Sequence, residues 1–299
     1  MHPALDYPWP QLNGCRPSWT GRGFDVGGDL HSVLDFEAGE SGWSEDLTRF
    51  HEEAAGEGTH PIDVASRKRA RSALKRHLQA KGGATVLLEA GCSSGFLLEE
   101  LVSDWPNSLV IGSDYLPGPL HRLAKRQPPL PLLRFDLVKC PLPTSSVDAV
   151  VLLNVLEHIE DDFAAALQVV RVLRPGGIAV IEVPAGPHLY DVYDRYLKHC
   201  RRYRLLDVAE LVTRAGLRLV DQSHLGCLAY PAFALVKWMN RRWLDAPEQV
   251  QREIVGRNIS RSGDSLLLGW ATRLDEQFAS HFSLPFGIRC TVVAMKPAA

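Results

Sequence analysis

The chain has 299 residues, 45% of them hydrophobic, and a formal net charge of −2. A chain of this length can bury a sizeable core and suits one large α/β domain with additions. Its slightly acidic balance excludes a broadly basic surface, so no nucleic-acid partner is expected.

The six cysteines form no C-x-x-C pair and no tight Cys/His cluster with zinc-ligand spacing. We therefore expect reduced thiols packed as small hydrophobic side chains, and no metal site. The first ten residues carry three prolines and no apolar stretch of signal-peptide length. These features predict a cytoplasmic protein, and they leave its oligomeric state open.

Residues 1–62 are predicted to form a loop-rich N-terminal arm, because they are rich in Gly, Pro and Trp and show little apolar periodicity. Between Asp29 and Glu57, nine acidic residues accompany a single arginine. The arm has two interpretations, a segment packed on the core or a lid over the sheet edge where ligands bind. Its expected aromatic anchors are Trp19, Phe24, Trp43 and Phe50.

The predicted core comprises residues 63–224 and 285–299 and starts with a basic helix from Asp63 to Lys81. Strands and helices then alternate, which predicts right-handed crossovers and a mainly parallel sheet. Strands are expected near 85–90, 109–113, 132–136, 147–153, 178–183, 217–222 and 286–295, with helices near 95–104, 117–126, 160–173 and 205–215.

The first core strand ends in the glycine-rich segment 91–95, and the second ends at Asp114. Gly91 and Gly95 permit a tight turn, after which the N–H groups that open the next helix face a ligand. The carboxylate of Asp114 can accept both hydroxyl hydrogens of a ribose. Since the two residues after Gly95 are large, the third small residue of a dinucleotide loop is missing, which disfavours a dinucleotide.

Three further motifs follow in order along the chain. The third strand ends in Phe135-Asp136, where a carboxylate could receive an adenine amino group. The fourth strand ends at Asn154 and is followed by Leu156-Glu157-His158. The sequence Leu-Arg-Pro-Gly-Gly at 173–177 then marks a helix end and a turn before the fifth strand.

This combination of motifs, from about Thr85 to Val220, resembles the class I S-adenosylmethionine-dependent methyltransferases. The resemblance implies a Rossmann-like, mainly parallel seven-stranded sheet with helices on both faces and an antiparallel last strand, and S-adenosylmethionine as the cofactor. By the same resemblance, Glu89 and Gly91 lie at the methionine moiety, Asp114 at the ribose, Asp136 and Leu137 at the adenine and Asn154 near the sulfonium; Cys92, Gly95 and Tyr115 complete the predicted cofactor-binding set.

Residues 225–284 are predicted to form a helical cap or insertion between strands six and seven. Its apolar run at 225–236 is shorter than the roughly 20 residues that span a bilayer. A buried or cap helix is favoured, and contact with a membrane surface or a lipid-linked substrate is the alternative.

Methyl transfer needs positioning and, for a hydroxyl acceptor, a base. His158 and His199 are the candidate bases, since histidine titrates near neutral pH. The segment 189–204 combines four tyrosines with six basic residues, which suits stacking and guanidinium contacts to a polar acceptor; a helix held by Asp–Arg pairs is the alternative. Its pattern is similar to that of methyltransferases of bacterial polysaccharide and glycolipid pathways, which implies acceptor contacts by His199, Arg202 and Tyr203. Tyr193 is also a predicted substrate-binding residue.

The expected function is therefore S-adenosylmethionine-dependent methyl transfer to an oxygen of a sugar, a glycolipid or another small polar acceptor, free or carrier-linked. Two alternatives stay open. One is an NAD-dependent oxidoreductase, and the other is a non-catalytic methyltransferase-like binding subunit.

Overall fold

The computed structural model describes residues 7–37, 50, 58–78, 85–126, 128–263, 265–279 and 283–298. The strands are β1 (Ser18–Trp19), β2 (Phe24–Val26), β3 (Asp29–His31), β4 (Leu34–Asp35), β5 (Val86–Ala90), β6 (Leu109–Asp114), β7 (Leu132–Arg134), β8 (Val147–Leu153), β9 (Leu173–Pro184), β10 (Arg218–Leu225) and β11 (Arg289–Met295). The helices are α1 (Pro61–Leu78), α2 (Phe96–Asp104), α3 (Pro117–Leu123), α4 (Asp162–Val172), α5 (Val192–Tyr196), α6 (Leu205–Arg214), α7 (Tyr230–Asn240), α8 (Glu248–Gly263) and α9 (Leu266–Ala279).

The central sheet has the order β10-β11-β9-β8-β5-β6-β7-β4. Strands β4 to β9 pair in parallel, whereas β11 is antiparallel to both β9 and β10. The predicted Rossmann-like sheet with an antiparallel last strand is thus confirmed. The strand count of seven was wrong, because the short arm strand β4 adds an eighth strand beside β7.

Helices cover both faces of this sheet, and the alternation of side chains along each strand explains why. Leu87 of β5 packs with apolar residues of α1, α2 and α3 on one face. Its neighbour Leu88 packs with residues of α4 and α6 on the other. Strands buried on both faces read as continuous apolar runs, which is why they were visible in the sequence.

Apolar residues between Tyr7 and Leu34 of the N-terminal arm pack on the α4/α6 face. Phe24 is fully buried and contacts the rings of Trp9 and Trp19, while β1, β2 and β3 form a small antiparallel sheet. Tyr7 donates a hydrogen bond from its hydroxyl to Ser146. Among the predicted anchors, Trp43 lies outside the described residues. Residues 7–37 therefore fit the interpretation of a packed arm.

Between β10 and β11 the chain forms α7, α8 and α9, which lie beside the carboxyl edge of the sheet. Val255 and Ile259 of α8 pack against α5, and the ring of Phe50 contacts Tyr196 of that helix. Within the described ranges, no helix combines the length and the apolar character needed to cross a membrane.

Candidate functional site

A cavity of about 1500 Å³ lies at the carboxyl ends of β5, β6 and β8, where ligands bind in open α/β sheets. One wall comes from the loops after these strands, and the other comes from α5, α7, α8 and α9. Pockets for one small ligand have volumes of roughly 300–1000 Å³. The cavity can therefore hold a nucleoside cofactor together with a second molecule.

The loop 91–95 forms the floor of the cofactor half. Gly91 and Gly95 have φ values of +77° and +76°, and a β-carbon on Gly95 would overlap the side chain of Leu123. The N–H groups of Gly91 and Cys92 donate to the Ser113 carbonyl at 2.8 and 2.9 Å. This loop is thus held against β6, and glycine is required at position 95 by both backbone conformation and packing.

Asp114 lies at the end of β6, directly beside this loop. Its Oδ2 accepts a hydrogen bond from the N–H of Ser93 at 2.8 Å, and its Oδ1 accepts one from the N–H of Leu116 at 2.9 Å. Each carboxylate oxygen has a second lone pair. Two backbone bonds therefore fix the carboxylate in an orientation from which it can still accept both hydroxyls of a ribose.

At the predicted adenine position, Asp136 and Leu137 both line the cavity. The side chain of Asp136 caps a 3-10 turn by accepting from the N–H of Val138 at 3.1 Å. Its own N–H donates to the carboxylate of Glu37 in the N-terminal arm, also at 3.1 Å. Sequence patterns do not predict this contact, because it joins segments far apart in the chain.

Glu89, Tyr115 and Asn154, three of the predicted cofactor-binding residues, also line the cavity. Burial, with a contribution from the nearby Asp114 carboxylate, raises the pKa of Glu89 well above its usual range. Its Oε2 has no hydrogen-bond partner among the described residues. A buried carboxyl group of this kind suits an ammonium group, such as that of a methionine moiety, because the positive charge stabilises its ionised form.

The segment after β8 and the segment after α5 bring Glu157, His158 and His199 together, with one potential ligand atom from each lying within 4.8 Å of the other two. The imidazole rings of the two histidines are 4.7 Å apart and nearly perpendicular. The N–H of Cys200 donates to the Glu157 carbonyl at 2.7 Å, which ties the two segments together. Burial raises the pKa of Glu157 to about 8.

His199 is held by a buried network around Asp194. Its Nδ1 lies 2.9 Å from Oδ1 of Asp194, which also accepts from Arg202 at 2.9 Å. Lys237 of α7 donates to Asp191 at 2.7 Å and to Asp194 at 3.0 Å. Although burial acts in the opposite sense, the charges of Lys237 and Arg202 hold the pKa of Asp194 well below its usual range. Asp194 is therefore an ionised acceptor, which places the hydrogen of His199 on Nδ1 and a lone pair on Nε2.

Comparison with known proteins relates part of this chain to methyltransferases. Residues 88–181 match the family model described as a methyltransferase domain. A Mycolicibacterium smegmatis protein named as a probable S-adenosylmethionine-dependent methyltransferase is 33% identical over 137 residues, covering 45% of this chain and 52% of that relative. The malonyl-[acyl-carrier protein] O-methyltransferase of Dechloromonas aromatica is 30% identical over 158 residues, covering 50% of this chain and 58% of the relative. The chain thus spans little more than half the length of these curated relatives.

Among solved structures, a candidate sarcosine dimethylglycine methyltransferase from Galdieria sulphuraria is similar with a TM-score of 0.58. The similarity covers 85% of this chain and 99% of that one, at 14% sequence identity. The chain has a Rossmann-like methyltransferase fold. These comparisons agree with the enzyme class and the cofactor that the sequence predicted.

On this methyltransferase fold, the predicted substrate-binding residues occupy different places. Tyr193 and Arg202 line the cavity, although Arg202 is buried and bonded to Asp194. Tyr203 lies outside the cavity wall, with its hydroxyl 3.1 Å from the Leu156 carbonyl and 2.9 Å from the carboxylate of Asp162. Arg202 and Tyr203 therefore make the contacts expected of the structural alternative, a segment held by acidic partners.

Proposed function

We propose that this chain is an S-adenosylmethionine-dependent methyltransferase acting on an oxygen of a sugar or glycolipid acceptor. One observation carries the proposal. A single cavity is lined both by the cradle of loop 91–95 and Asp114 and by a cluster of two histidines and a glutamate.

The residues of the first half fit the proposed cofactor. Asp114 would hold the ribose hydroxyls, Asp136 and Leu137 would face the adenine, and Glu89 would face the ammonium group. The buried Oε2 of Glu89, for which the described residues offer no hydrogen-bond partner, supports this assignment. When bound, S-adenosylmethionine supplies the electrophilic methyl group.

On the acceptor side, the chain's own residues must position a hydroxyl and take its proton. His199 is suited to this role because the bond from Nδ1 to Asp194 leaves the Nε2 lone pair available. His158 lies beside it on the cavity wall and is the second candidate base. The formal net charge of the chain is −2, so nucleic acid is not among the proposed partners.

The mouth of the cavity favours a glycolipid over a free sugar. Leu228, Val236, Leu267 and Trp270 line the cavity and are exposed to solvent, with 65% of Trp270 accessible. Exposed apolar side chains that rim a polar pocket suit an acceptor with an apolar tail, because the tail covers them while the hydroxyl reaches the histidines. We therefore place the polar head at the histidines and the tail at this apolar rim.

Ligand-dependent thermal shifts test the cofactor assignment. S-adenosylhomocysteine should raise the melting temperature, whereas NAD⁺ should not, because only a ligand of the folded state stabilises it. The opposite result would favour the oxidoreductase alternative. If the nucleoside binds while no acceptor is methylated in a turnover assay across sugars, glycolipids and acyl carriers, the non-catalytic binding subunit is favoured instead.

A second experiment tests the acceptor class. Trp270→Ser should raise KM for a lipid-linked sugar about tenfold and leave KM for the same sugar without its tail unchanged, because roughly one buried apolar contact is lost. Leu30→Ser is the matched control, since Leu30 is equally exposed at 65% but lies on β3, away from the cavity. Equal effects on both acceptors would remove the assignment of the apolar rim.

A further inference from the structure

The cluster of Glu157, His158 and His199 has the composition of a metal site, although no zinc spacing is visible in the sequence. Two imidazoles and one carboxylate form the His₂Glu set that holds catalytic zinc, and a 2-His-1-carboxylate set also holds ferrous iron. The three ligand atoms lie within 4.8 Å of one another. Ligands about 2.1 Å from one ion lie about 3.0–3.4 Å apart, so small side-chain rotations would bring these atoms into range.

A second observation points to a ligand at this cluster. Glu157 is fully buried and lines the cavity, yet neither Oε1 nor Oε2 has a hydrogen-bond partner among the described residues. Buried carboxylates are normally paired, hydrogen-bonded or bound to a metal. The positive charges that act on Glu157 belong to Arg289 and Arg202, which are already paired with other carboxylates. Neither arginine therefore forms an ion pair with the Glu157 carboxylate, and a bound cation would supply the positive charge that it lacks.

The contacts of His199 provide the third observation. Asp194 accepts from Nδ1, so Nε2 is the ring nitrogen that remains to act as a ligand. A carboxylate that fixes the tautomer and the orientation of a histidine in this way is the usual outer contact of a metal-binding imidazole. Asp194 is itself held by Arg202 and Lys237, which makes the orientation of His199 independent of any ion.

We propose that Glu157, His158 and His199 bind a divalent transition-metal ion of the zinc class. The three residues leave at least one coordination position open towards the cavity, as in catalytic sites. An ion there would coordinate the acceptor hydroxyl and lower its pKa, so that the proton leaves to water and the histidines act as ligands in place of a base. This consequence rests on the proposed function, whereas binding of the ion does not.

The test uses the full chain, stripped with a chelator and titrated with Zn²⁺ and Co²⁺. We expect one ion per chain by elemental analysis and calorimetry, and visible absorption bands from bound Co²⁺ that report nitrogen and oxygen ligands. Glu157→Gln should abolish both signals. Because the amide has the same shape and removes no hydrogen bond recorded for the carboxylate, this variant should fold.

Two matched controls separate this site from other metal-binding groups. Cys200→Ser removes the exposed thiol next to His199, and His188→Ala removes a histidine outside the cluster. Both should retain one ion per chain. Loss of the ion in Cys200→Ser, retention in Glu157→Gln, or no ion in the parent protein would each overturn the proposal. The change in melting temperature with S-adenosylhomocysteine is measured on the same samples. A failure of the metal site can therefore be distinguished from a failure of the cofactor assignment.

Discussion

Replacement of Asp114 by asparagine is the sharpest test of the cofactor site. Both carboxylate oxygens already accept backbone N–H groups, from Ser93 at 2.8 Å and from Leu116 at 2.9 Å. An asparagine must therefore turn its NH₂ group towards one of these donors, and that nitrogen can accept no ribose hydroxyl. A hydrogen bond to a charged group contributes about 1.5–3 kcal/mol, so the affinity for S-adenosylhomocysteine should fall roughly 10- to 150-fold. The half-buried backbone N–H of Ser93 or Leu116 that then faces the NH₂ group has no acceptor, which should lower the free energy of unfolding by about 1 kcal/mol.

The assay is calorimetric titration of S-adenosylhomocysteine into each variant, with urea unfolding of the ligand-free proteins. Asp148→Asn is the matched control. Asp148 accepts from the N–H of Val86 at 2.9 Å and from Arg174 at 2.6 Å at the opposite edge of the sheet. It should lose stability without losing affinity. If Asp114→Asn is destabilised but binds within about threefold of the parent, the assignment of Asp114 to the ribose is refuted.

Three further predictions concern stability. Burial raises the pKa of Glu89 above 4.5, so the unfolded chain loses this proton first and the stability of the parent protein falls as pH rises above about 5. The melting temperature of Glu89→Gln should therefore increase relative to that of the parent protein as pH rises, and a difference that stays constant with pH would contradict this. Gly95→Ala should cost about 1–3 kcal/mol in urea unfolding, and more than Gly14→Ala, which shares a φ near +77° but has open space around it. Lys237→Met leaves two buried carboxylates without their shared cation and should lower the free energy of unfolding by about 3–5 kcal/mol. The control Arg195→Met removes an exposed ion pair and should lower it by less than about 1 kcal/mol. Equal losses in the two variants would contradict the buried network.

The cofactor half of the site was predictable because its signals are local. Loop 91–95 follows a strand and precedes a helix, and Asp114 ends the next strand, so the parallel sheet alone brings them to one edge. The run of buried strands and the Pro-Gly-Gly turn are likewise read from neighbouring residues. The eighth strand was not predictable in this way. Leu34 and Asp35 form only two residues of strand, too short for a periodic pattern, and their pairing with β7 depends on distant segments.

The part of the cavity around His199 depends on contacts that sequence spacing does not encode. His199 reaches Glu157 because Lys198, with a φ of +54°, turns the chain after α5 and because the N–H of Cys200 bonds to the Glu157 carbonyl. The tyrosine- and arginine-rich pattern indicated a binding surface, but the side chain of Tyr203 is buried in the core. Lys237 directly follows the apolar run 225–236, where a lone lysine is typical of the last turn of a helix.

Asp194 makes the orientation of His199 depend on the insertion. The carboxylate accepts from His199, from Arg202 and from Lys237, and only Lys237 comes from α7. Withdrawal of α7 would leave one fewer cation to neutralise two buried carboxylates, Asp191 and Asp194, which is costly in a low-dielectric environment. The same helix contributes Val236 to the apolar rim. Packing of α7 therefore places Val236 on the cavity wall and Lys237 on the two carboxylates, one of which orients the His199 imidazole, so the buried lysine links this helix to the core.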